Sequence, residues 1–477
     1  MSHVLISGAG PVGLWLAGEL RLRDVDVTVV ETRNERSPHS KALTIHPRTL
    51  ELFAQRGIVD ELLERGVRIP AGHFGALEQK LDFRPLDTDF PFTLLFPQSE
   101  TERILERRAR DLGADVRRGH TLVGFDEDAD AVRARVRLPG GGEEVVVAAF
   151  LAGCDGAGST VRRLAGIDFP GDDADTFGIL ADVELAAPPA TPLHGFSDVT
   201  GQLMIVPLPG GGHRIVGVDP TRQSGPAGAI DADELRESVV RICGQDFGMG
   251  APAWVSRYGN ASRVAGRYAR GRVVLAGDAA HMHFPAGGVG MNVGIQDAHG
   301  LGWRLADVLG GLAPLSALDA YHDERHPVGL GLVLGTQAQT ALLAAFDADR
   351  QALRVLMGGL IARIPELSLA LAERLAGLDV AYGSPDATHP LVGRRLRQTA
   401  TTARSVHPML LCAASSLETL AQVVAPAGVR TAAAPAAETL LVRPDGHVAW
   451  AAAHADASAV ADAVRSLRPL APAPAHP

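Results

Sequence analysis

The segment from His3 to Glu31 constrains the fold of this chain more than any other segment. A short apolar run is followed by the glycine motif GAGPVG at residues 8–13, an amphipathic stretch through Arg23, and a second apolar run, Val25–Val30. Glycines spaced G-x-G-x-x-G between a strand and a helix bring a pyrophosphate to the helix N-terminus, and an acidic residue about 20 positions further on can bind a ribose 2′-OH. The pattern therefore predicts a Rossmann-like domain that binds an ADP-containing dinucleotide, FAD or NAD.

The second constraining segment is Arg272–Asn292, RVVLAGDAAHMHFPAGGVGMN. Val273–Ala276 predicts a strand that stops at Gly277-Asp278, and a glycine loop then leads into a helical pattern over Met291–Leu309. A carboxylate at the strand tip can accept hydrogen bonds from sugar-like hydroxyls, the glycines let a flat ring approach the backbone, and the helix N-terminus favours negative charge. Taken alone, the segment is also compatible with an ordinary α/β corner.

The charge and the cysteines exclude several classes of function. The 477 residues carry a formal net charge of −10, and the basic residues are scattered, which argues against nucleic acid or an anionic membrane as a partner. Cys154, Cys243 and Cys412 lie far apart without metal-ligand spacing, so we expect buried thiols in a reducing cytosol and no metal site. No signal peptide and no run of about 20 apolar residues is found, so we expect a cytoplasmic protein.

The order of motifs predicts a mixed α/β and α+β architecture in four segments. Residues 1–175 begin a discontinuous FAD- or NAD-binding domain. Its phenylalanine-rich stretch 72–97 is assigned to the substrate pocket, although the phenylalanines themselves are also compatible with an ordinary core. Residues 176–265 carry no phosphate motif and predict an inserted β-sheet domain for the substrate, and residues 266–387 return to the cofactor domain and add long helices. Residues 388–477 have the element order of a thioredoxin-like unit, but no CxxC follows the first strand.

Two finer expectations concern local structure. Val116–Phe125, Ala131–Leu138 and Glu144–Leu151 alternate like the three strands of an antiparallel meander. The end of the chain, Pro469–Pro477, is rich in proline and alanine and is expected to be disordered.

Three features now stand in order: the glycine motif with Glu31, the turn Asp155-Gly156, and Gly277-Asp278. In this order the chain resembles the group A flavoprotein monooxygenases, the para-hydroxybenzoate hydroxylase-like family. Within that family it resembles the aromatic polyketide hydroxylases and the rifamycin monooxygenases. The matching stretches are AGELRL at 17–22, GHFG at 72–75, PQ at 97–98 with Thr101-Glu102, CDG at 154–156, FPG at 169–171, AGDAAH at 276–281, YHDERHPV at 321–328 and RPDGHVAW at 443–450.

The resemblance implies an FAD site drawn from all three features. The motif glycines would cradle the pyrophosphate, Glu31 would bind the adenosine ribose, and Asp155 belongs to a motif that serves both FAD and NADPH. Met291 and Asn292 would contact the pyrimidine edge of the isoalloxazine. The full set of implied cofactor residues is Gly8, Gly10, Val12, Gly13, Glu31, Thr32, Lys41, Gln98, Leu122, Asp155, Asp278, Pro285, Gly288, Gly290, Met291 and Asn292.

The implied activity is hydroxylation of a polycyclic aromatic polyketide. NADPH or NADH would reduce FAD transiently, O2 would add to give a C4a-hydroperoxyflavin, and one oxygen atom would pass to an electron-rich ring. Two alternatives stay open: oxidative inactivation of a rifamycin- or tetracycline-type antibiotic, and a flavin-binding partner protein that does not hydroxylate. The protein could be a monomer or a homodimer. No catalytic acid or base is identified, and the pocket candidates are His46, His73, Phe74, His281, His283 and Pro285.

Two positions depart from the family pattern. Lys41 stands where relatives usually have arginine, which keeps the charge but not the bidentate fork. Val289 stands where relatives read glutamine in GGQG, so we expect that a side-chain amide beside the flavin is lost and that the loop is less polar.

Overall fold

The computed structural model describes residues 3–191, 194–223, 230–383, 389–397, 405–434, 438–454 and 456–467. The predicted disorder of Pro469–Pro477 concerns residues outside these ranges. In the first third of the chain, the elements are β1 (His3–Ser7), α1 (Pro11–Arg21), β2 (Asp26–Glu31), β3 (Thr44–Ile45), α2 (Pro47–Gln55), α3 (Val59–Arg65), β4 (Val67–Ile69), β5 (Ala71–His73), β6 (Lys80–Asp82), β7 (Thr93–Leu95), α4 (Gln98–Asp111), β8 (Asp115–Arg118), β9 (Thr121–Glu127), β10 (Val132–Arg137), β11 (Glu143–Ala148), β12 (Phe150–Gly153) and α5 (Thr160–Leu164).

The remaining elements follow in two groups. The middle of the chain forms β13 (Gly171–Asp172), β14 (Phe177–Val183), β15 (His194–Asp198), β16 (Gly201–Pro207), β17 (His213–Val218), α6 (Ala232–Cys243), β18 (Trp254–Gly259), β19 (Ser262–Val264), β20 (Ala269–Arg270), β21 (Val273–Leu275), β22 (His281–Met282), α7 (Gly290–Leu309), α8 (Ala317–Leu343), α9 (Ala348–Arg363) and α10 (Pro365–Ala376). The end of the chain forms β23 (Met409–Cys412), α11 (Leu417–Val424), β24 (Arg430–Ala433), β25 (Thr439–Val442), β26 (Val448–Ala452) and α12 (Ala457–Leu467).

A six-stranded sheet with the order β20-β21-β12-β1-β2-β8 forms the centre of the molecule. All its pairings are parallel except that of the edge strand β20 with β21. Val4, Leu5 and Ile6 of β1 are fully buried, as expected for a parallel strand covered on both faces. Helix α1 packs against α7 and α4. Strand β1, near residue 3, and strand β21, which ends at residue 275, therefore belong to the same sheet. The loops after β1, β2 and β12 lie at the carboxyl edge of this sheet.

The predicted meander is wrong at both ends. The stretch Val116–Phe125 is two strands, since β8 joins the parallel sheet and β9 joins a separate sheet with the order β11-β10-β9. Gly119 has φ +74 between them, a left-handed conformation that ends the first strand. The stretch Glu144–Leu151 divides in the same way, because β11 completes the meander and β12 pairs with β1.

A second large sheet, with the order β15-β16-β17-β14-β18, is antiparallel throughout. Its two faces differ because side chains alternate along each strand. Leu203 and Ile205 of β16 belong to an apolar core under α6 that also contains Leu235 and Val239 of that helix. The intervening residues of β16 therefore point to the opposite face, which looks towards the central sheet.

The last part of the chain forms a sheet with the order β24-β23-β25-β26, in which only the β23–β24 pairing is parallel. The hairpin turn between β25 and β26 is buried against the rest of the molecule. Arg443 donates two hydrogen bonds of 2.8 Å to Glu324 of α8, and Arg48 of α2 donates to the main-chain oxygen of Asp445. Among the described residues no single helix is long and apolar enough to cross a membrane, and only α8 and α9 taken together, bent by 115°, pass such a test.

Candidate active site

A cavity of about 860 Å³ lies between the carboxyl edge of the central sheet and the inner face of the five-stranded sheet. In open α/β sheets, ligands bind at this edge where consecutive strands diverge to opposite sides. Here β1 lies between β2 and β12, so the loops after these three strands surround the start of α1. Ser7 at the end of β1, Glu31 at the end of β2 and Asp155 in the loop after β12 all line the cavity.

The structure brings most of the predicted site residues together. Gly13 and Asn292, predicted for the cofactor, do not line the cavity, and neither do Phe74 and His281, predicted for the pocket. The predicted residues that do line it are Gly8, Gly10, Val12, Glu31, Thr32, Lys41, His46, His73, Gln98, Leu122, Asp155, Asp278, His283, Pro285, Gly288, Gly290 and Met291.

The first turn of α1 forms an open cradle of main-chain N–H groups. The helix begins at Pro11, and its N-cap residue, Gly10, provides no side-chain cap. A Cβ on Gly8, which has φ +106, would lie 2.3 Å from the carbonyl oxygen of Cys154, whereas a Cβ on Gly10 would have no atom within 4 Å. A Cβ on Gly13 would lie 2.0 Å from the carbonyl oxygen of Gly8. Gly8 and Gly13 are thus required by the packing of the chain itself, and Gly10 faces free space where an anion can reach the helix N-terminus.

Carboxylates and amides are arranged around the opposite end of this cradle. Glu31 accepts hydrogen bonds from the main-chain N–H groups of Ala9 (2.9 Å) and Arg33 (3.0 Å), which leaves lone pairs on both oxygens. The Gln98 amide accepts from Ala42 N and donates to Glu102, whose carboxyl pKa is raised by burial. This end of the cavity can accept hydrogen bonds from hydroxyl groups.

Asp155 has a structural role at the start of α5. Its Oδ2 atom accepts from the main-chain N–H groups of Thr160 (2.8 Å) and Val161 (3.2 Å). Its Oδ1 atom is buried and has no hydrogen-bond partner among the described residues. Asp155 thus lines the cavity with one carboxylate oxygen that has no hydrogen-bond partner in the described part of the protein.

The loop at residues 287–288 is fixed between β3 and α7. Gly288 has φ +64, and a Cβ there would lie 2.0 Å from Oγ1 of Thr44. The buried Asn292 side chain accepts from the N–H of His46 (2.8 Å) and donates to the carbonyls of Thr44 and Gly288 (both 3.0 Å). Helix α7 begins with no side-chain cap, so its N-terminal N–H groups are left for a negatively charged partner. Asn292 thus shapes the cavity wall without lining it.

Three histidines face the cavity as neutral imidazoles. Burial lowers the pKa of His46 to about 4, although its ring donates a 2.8 Å hydrogen bond from Nε2 to the carbonyl of Gly287. Burial and the nearby Lys80 lower the pKa of His73 to about 4, and burial also lowers the pKa of His283. At neutral pH these rings can donate or accept hydrogen bonds without adding charge.

Two pocket candidates, His281 and Phe74, do not line the cavity, for different reasons. The His281 ring is fully buried, with Nε2 2.6 Å from Oδ2 of Asp297, and Asp297 also accepts from the guanidinium of Arg325. Asp297 and Arg325 form a buried ion pair beside this ring, and His281 does not line the cavity. Phe74 packs against an apolar cluster around α10 that includes Leu375.

Val289 belongs to the same cluster as Phe74 and is absent from the cavity wall. The side chain at position 289 therefore packs in the apolar core and not on the cavity wall.

The five-stranded sheet contributes residues that the sequence did not single out. Arg214 of β17 is buried and donates to both oxygens of Asp182 (2.8 and 2.9 Å) and to the carbonyls of Ser40 and Lys41. Gln202 of β16 also lines the cavity. Cross-strand partners such as Arg214 and Asp182 are 32 positions apart, and no local spacing marks them as a pair.

A family model described as FAD binding domain matches residues 1–349. The chain belongs to this family.

Known proteins of similar sequence and structure narrow the activity of this flavoprotein. It is 43% identical over 479 residues to an uncharacterised aromatic compound monooxygenase of Bacillus subtilis (strain 168), with 96% of this chain and 95% of the relative covered. It is 37% identical over 462 residues to a rifampicin monooxygenase of Rhodococcus hoagii, with 94% and 95% covered. The solved structure of OxyS, an anhydrotetracycline hydroxylase from Streptomyces rimosus, superposes with a TM-score of 0.88 at 37% identity, covering 97% of this chain and 98% of that one.

The predicted membership of the aromatic hydroxylase family is confirmed by these comparisons. The flavoprotein is an FAD-dependent monooxygenase of mixed α/β fold, and NAD(P)H is the reductant typical of its family.

Proposed function

We propose that this monooxygenase hydroxylates a polycyclic aromatic polyketide with O2 and NAD(P)H. The observation that carries the proposal is the continuity of one cavity, from the glycine cradle at α1 to an apolar face of the five-stranded sheet. A cofactor in the cradle and a flat apolar substrate on the sheet would then share one water-poor space. FAD supplies the oxygen-transfer chemistry when bound, and the chain supplies position and exclusion of water.

We assign the cofactor contacts to the residues that line the cavity. The pyrophosphate fits the N–H groups at Gly10 and the start of α1, and the ribose hydroxyls fit Glu31, beside Thr32 and Leu122. Asp278, Gln98 and the free oxygen of Asp155 fit the middle of the molecule. The flavin ring fits the wall formed by Pro285, Gly288, Gly290 and Met291, where the uncapped N-terminus of α7 stabilises negative charge on the ring.

The finer organisation of the chain is part of the same proposal. Residues 1–175 and 266–387 act as one discontinuous cofactor domain, residues 176–265 as the substrate sheet, and residues 388–477 as a thioredoxin-like unit. The strand order β24-β23-β25-β26, with α11 against α12, supports that last assignment. We infer a cytoplasmic enzyme that works as a monomer or a homodimer.

A spectroscopic and kinetic assay tests the proposed function. Purified protein should be yellow with bound FAD, and an aromatic polyketide should accelerate its oxidation of NADPH and leave a product heavier by one oxygen atom. The panel should contain angucyclines, anthracyclines, tetracyclines and rifamycins. A colourless protein that does not take up FAD would contradict the proposal.

The same panel decides between two physiological roles. The similarity to a rifampicin monooxygenase favours antibiotic inactivation as the second candidate, with the same cavity and cofactor. Turnover restricted to finished antibiotics, with loss of their antibacterial activity, would support that role over biosynthesis. If the protein binds FAD but forms no oxygenated product from any compound of the panel, the result would support a flavin-binding partner protein that does not hydroxylate.

A further inference from the structure

The floor of the cavity is the face of the five-stranded sheet opposite α6. Strand pairing arranges its side chains in three rows that cross β16, β17, β14 and β18 in turn. The rows are Gln202–Val218–Gly178–Tyr258, then Met204–Val216–Leu180–Ser256, then Val206–Arg214–Asp182–Trp254.

In the third row, Arg214, Asp182 and Trp254 already have partners within the protein. The guanidinium of Arg214 is paired with Asp182 and with two main-chain carbonyls, and the ring of Trp254 stacks on His39 at 5.6 Å. The middle row presents the apolar side chains of Met204 and Leu180 to the cavity. A flat apolar molecule can therefore lie on the apolar middle row. The third row, whose polar side chains are already paired within the protein, borders it on one side.

The first row contains a glutamine that lines the cavity. Gln202 is only 2% exposed and lines the cavity, and its side chain has no hydrogen-bond partner among the described residues. A glutamine amide offers two donor hydrogens and an acceptor oxygen, and a complex is destabilised when a ligand covers such groups without pairing them. Tyr258, at the other end of the row, already donates a 3.3 Å hydrogen bond to the carbonyl of Gly217.

This row lies at the end of the floor nearest the loop before α7. Val218 packs in one cluster with Phe284 and Ala286, and the ring of Tyr258 lies 5.1 Å from that of Phe284. A group bound by Gln202 is thus placed on the side of the floor that meets the cavity wall at residues 284–288.

We propose that the Gln202 amide binds an oxygen substituent of the substrate, a phenolic hydroxyl or a ring carbonyl, and so fixes the orientation of a fused-ring molecule on the Met204–Leu180 floor. The inference rests on the proposed function, because it takes that cavity as the substrate site. The floor carries no net charge from its one ion pair, Arg214–Asp182, so it suits an uncharged oxygen better than a carboxylate. Gln202 is therefore a specificity-determining residue.

A matched pair of small ligands tests this role on the full-length, FAD-loaded protein. 1-Naphthol and 1-methylnaphthalene have nearly the same shape and differ by a hydroxyl in place of a methyl group. Each is titrated without reductant, and binding is read from the change in the flavin absorbance spectrum. The wild-type protein should prefer 1-naphthol, and Gln202→Leu should shift the ratio of dissociation constants about tenfold towards 1-methylnaphthalene.

Gln422→Leu, at an exposed glutamine of α11 that does not line the cavity, is the matched control and should leave the ratio unchanged. Gln202→Met keeps the length of the side chain and should give the same shift if the leucine variant does not retain FAD. An unchanged ratio in both Gln202 variants would overturn the role of this residue alone. If neither ligand binds to the FAD-loaded wild-type protein, the aromatic-substrate function on which the role rests is overturned.

Discussion

The side-chain oxygen of Asn292 accepts a 2.8 Å hydrogen bond from the main-chain N–H of His46, and this bond joins the first turn of α7 to the start of α2. The same side chain donates to two carbonyls, one in β3 and one in the loop at residues 287–288. One buried amide therefore sets the shape of the wall that we assign to the flavin ring.

Asn292→Ala should lower the free energy of unfolding by about 2–4 kcal/mol, because three buried main-chain groups lose their partner. It should also weaken FAD binding, since the loop at Gly288 is released. Denaturant unfolding and FAD titration measure the two effects. Ser316→Ala at the start of α8, where the serine makes no side-chain cap, is the control and should change stability by less than about 0.5 kcal/mol. Equal stability of the two variants would contradict the role of Asn292.

The buried His46 ring should make the protein sensitive to acid. Its pKa is lowered to about 4 in the folded protein, so between pH 6.5 and 4 the unfolded chain binds the extra proton. The stability that depends on neutral His46 is fully present above pH 6.5 and is lost as the pH falls through 4, by about 3 kcal/mol in total. In His46→Gln the unfolding free energy should fall less steeply over this range, whereas parallel curves for the two proteins would refute the assignment.

Alanine substitutions at two glycines of the motif should affect different properties, stability for Gly8 and FAD affinity for Gly10. Gly8→Ala should destabilise the protein even without FAD, because its Cβ would meet a carbonyl oxygen at 2.3 Å with φ +106. Gly10→Ala meets no protein atom, so the FAD-free protein should keep its stability within about 1 kcal/mol while FAD affinity falls at least about tenfold. Thermal unfolding of the apoprotein and FAD titration separate the two effects. Full FAD affinity in Gly10→Ala would place the pyrophosphate elsewhere.

Arg214 and Asp182 should behave as a coupled buried pair. Arg214→Met should cost about 3–5 kcal/mol, because it leaves the Asp182 carboxylate without its partner. Adding Asp182→Leu should recover part of that loss, a non-additivity that a double-mutant cycle in urea measures. Strictly additive effects would show that the two side chains act independently.

Val289→Gln should destabilise the protein by about 1–3 kcal/mol, because it buries an amide among Leu81, Leu342 and Leu375. The ratio of hydroxylated product to NADPH consumed should stay near the wild-type value, since the side chain points away from the cavity. If that ratio changes while the stability stays the same, the side chain at position 289 lies beside the flavin after all.

Local patterns in the sequence predicted the part of the site that is built from local structure. The glycine motif, Glu31 and the segment before α7 each combine a strand end, a turn and a helix start within a few residues, and they line the cavity as expected. Gln202 and Arg214 were missed because their significance depends on which strands pair and which face is covered by α6. His281 and Phe74 were misplaced for the same reason, since a sequence does not show whether a buried ring faces a cavity or the core.

The docking of the β25–β26 turn has a consequence for the order of events during synthesis. Arg48 and Glu324 find their partners, Asp445 and Arg443, 397 and 119 residues further along the chain. A ribosome adds about 5–20 residues per second, so both groups wait for many seconds without these contacts while the N-terminal strands are already free to pair. Helices α2 and α8 therefore acquire this bracing only after residue 445 has been synthesised, and a transcript truncated before residue 443 encodes the whole glycine cradle but leaves both helices without these contacts.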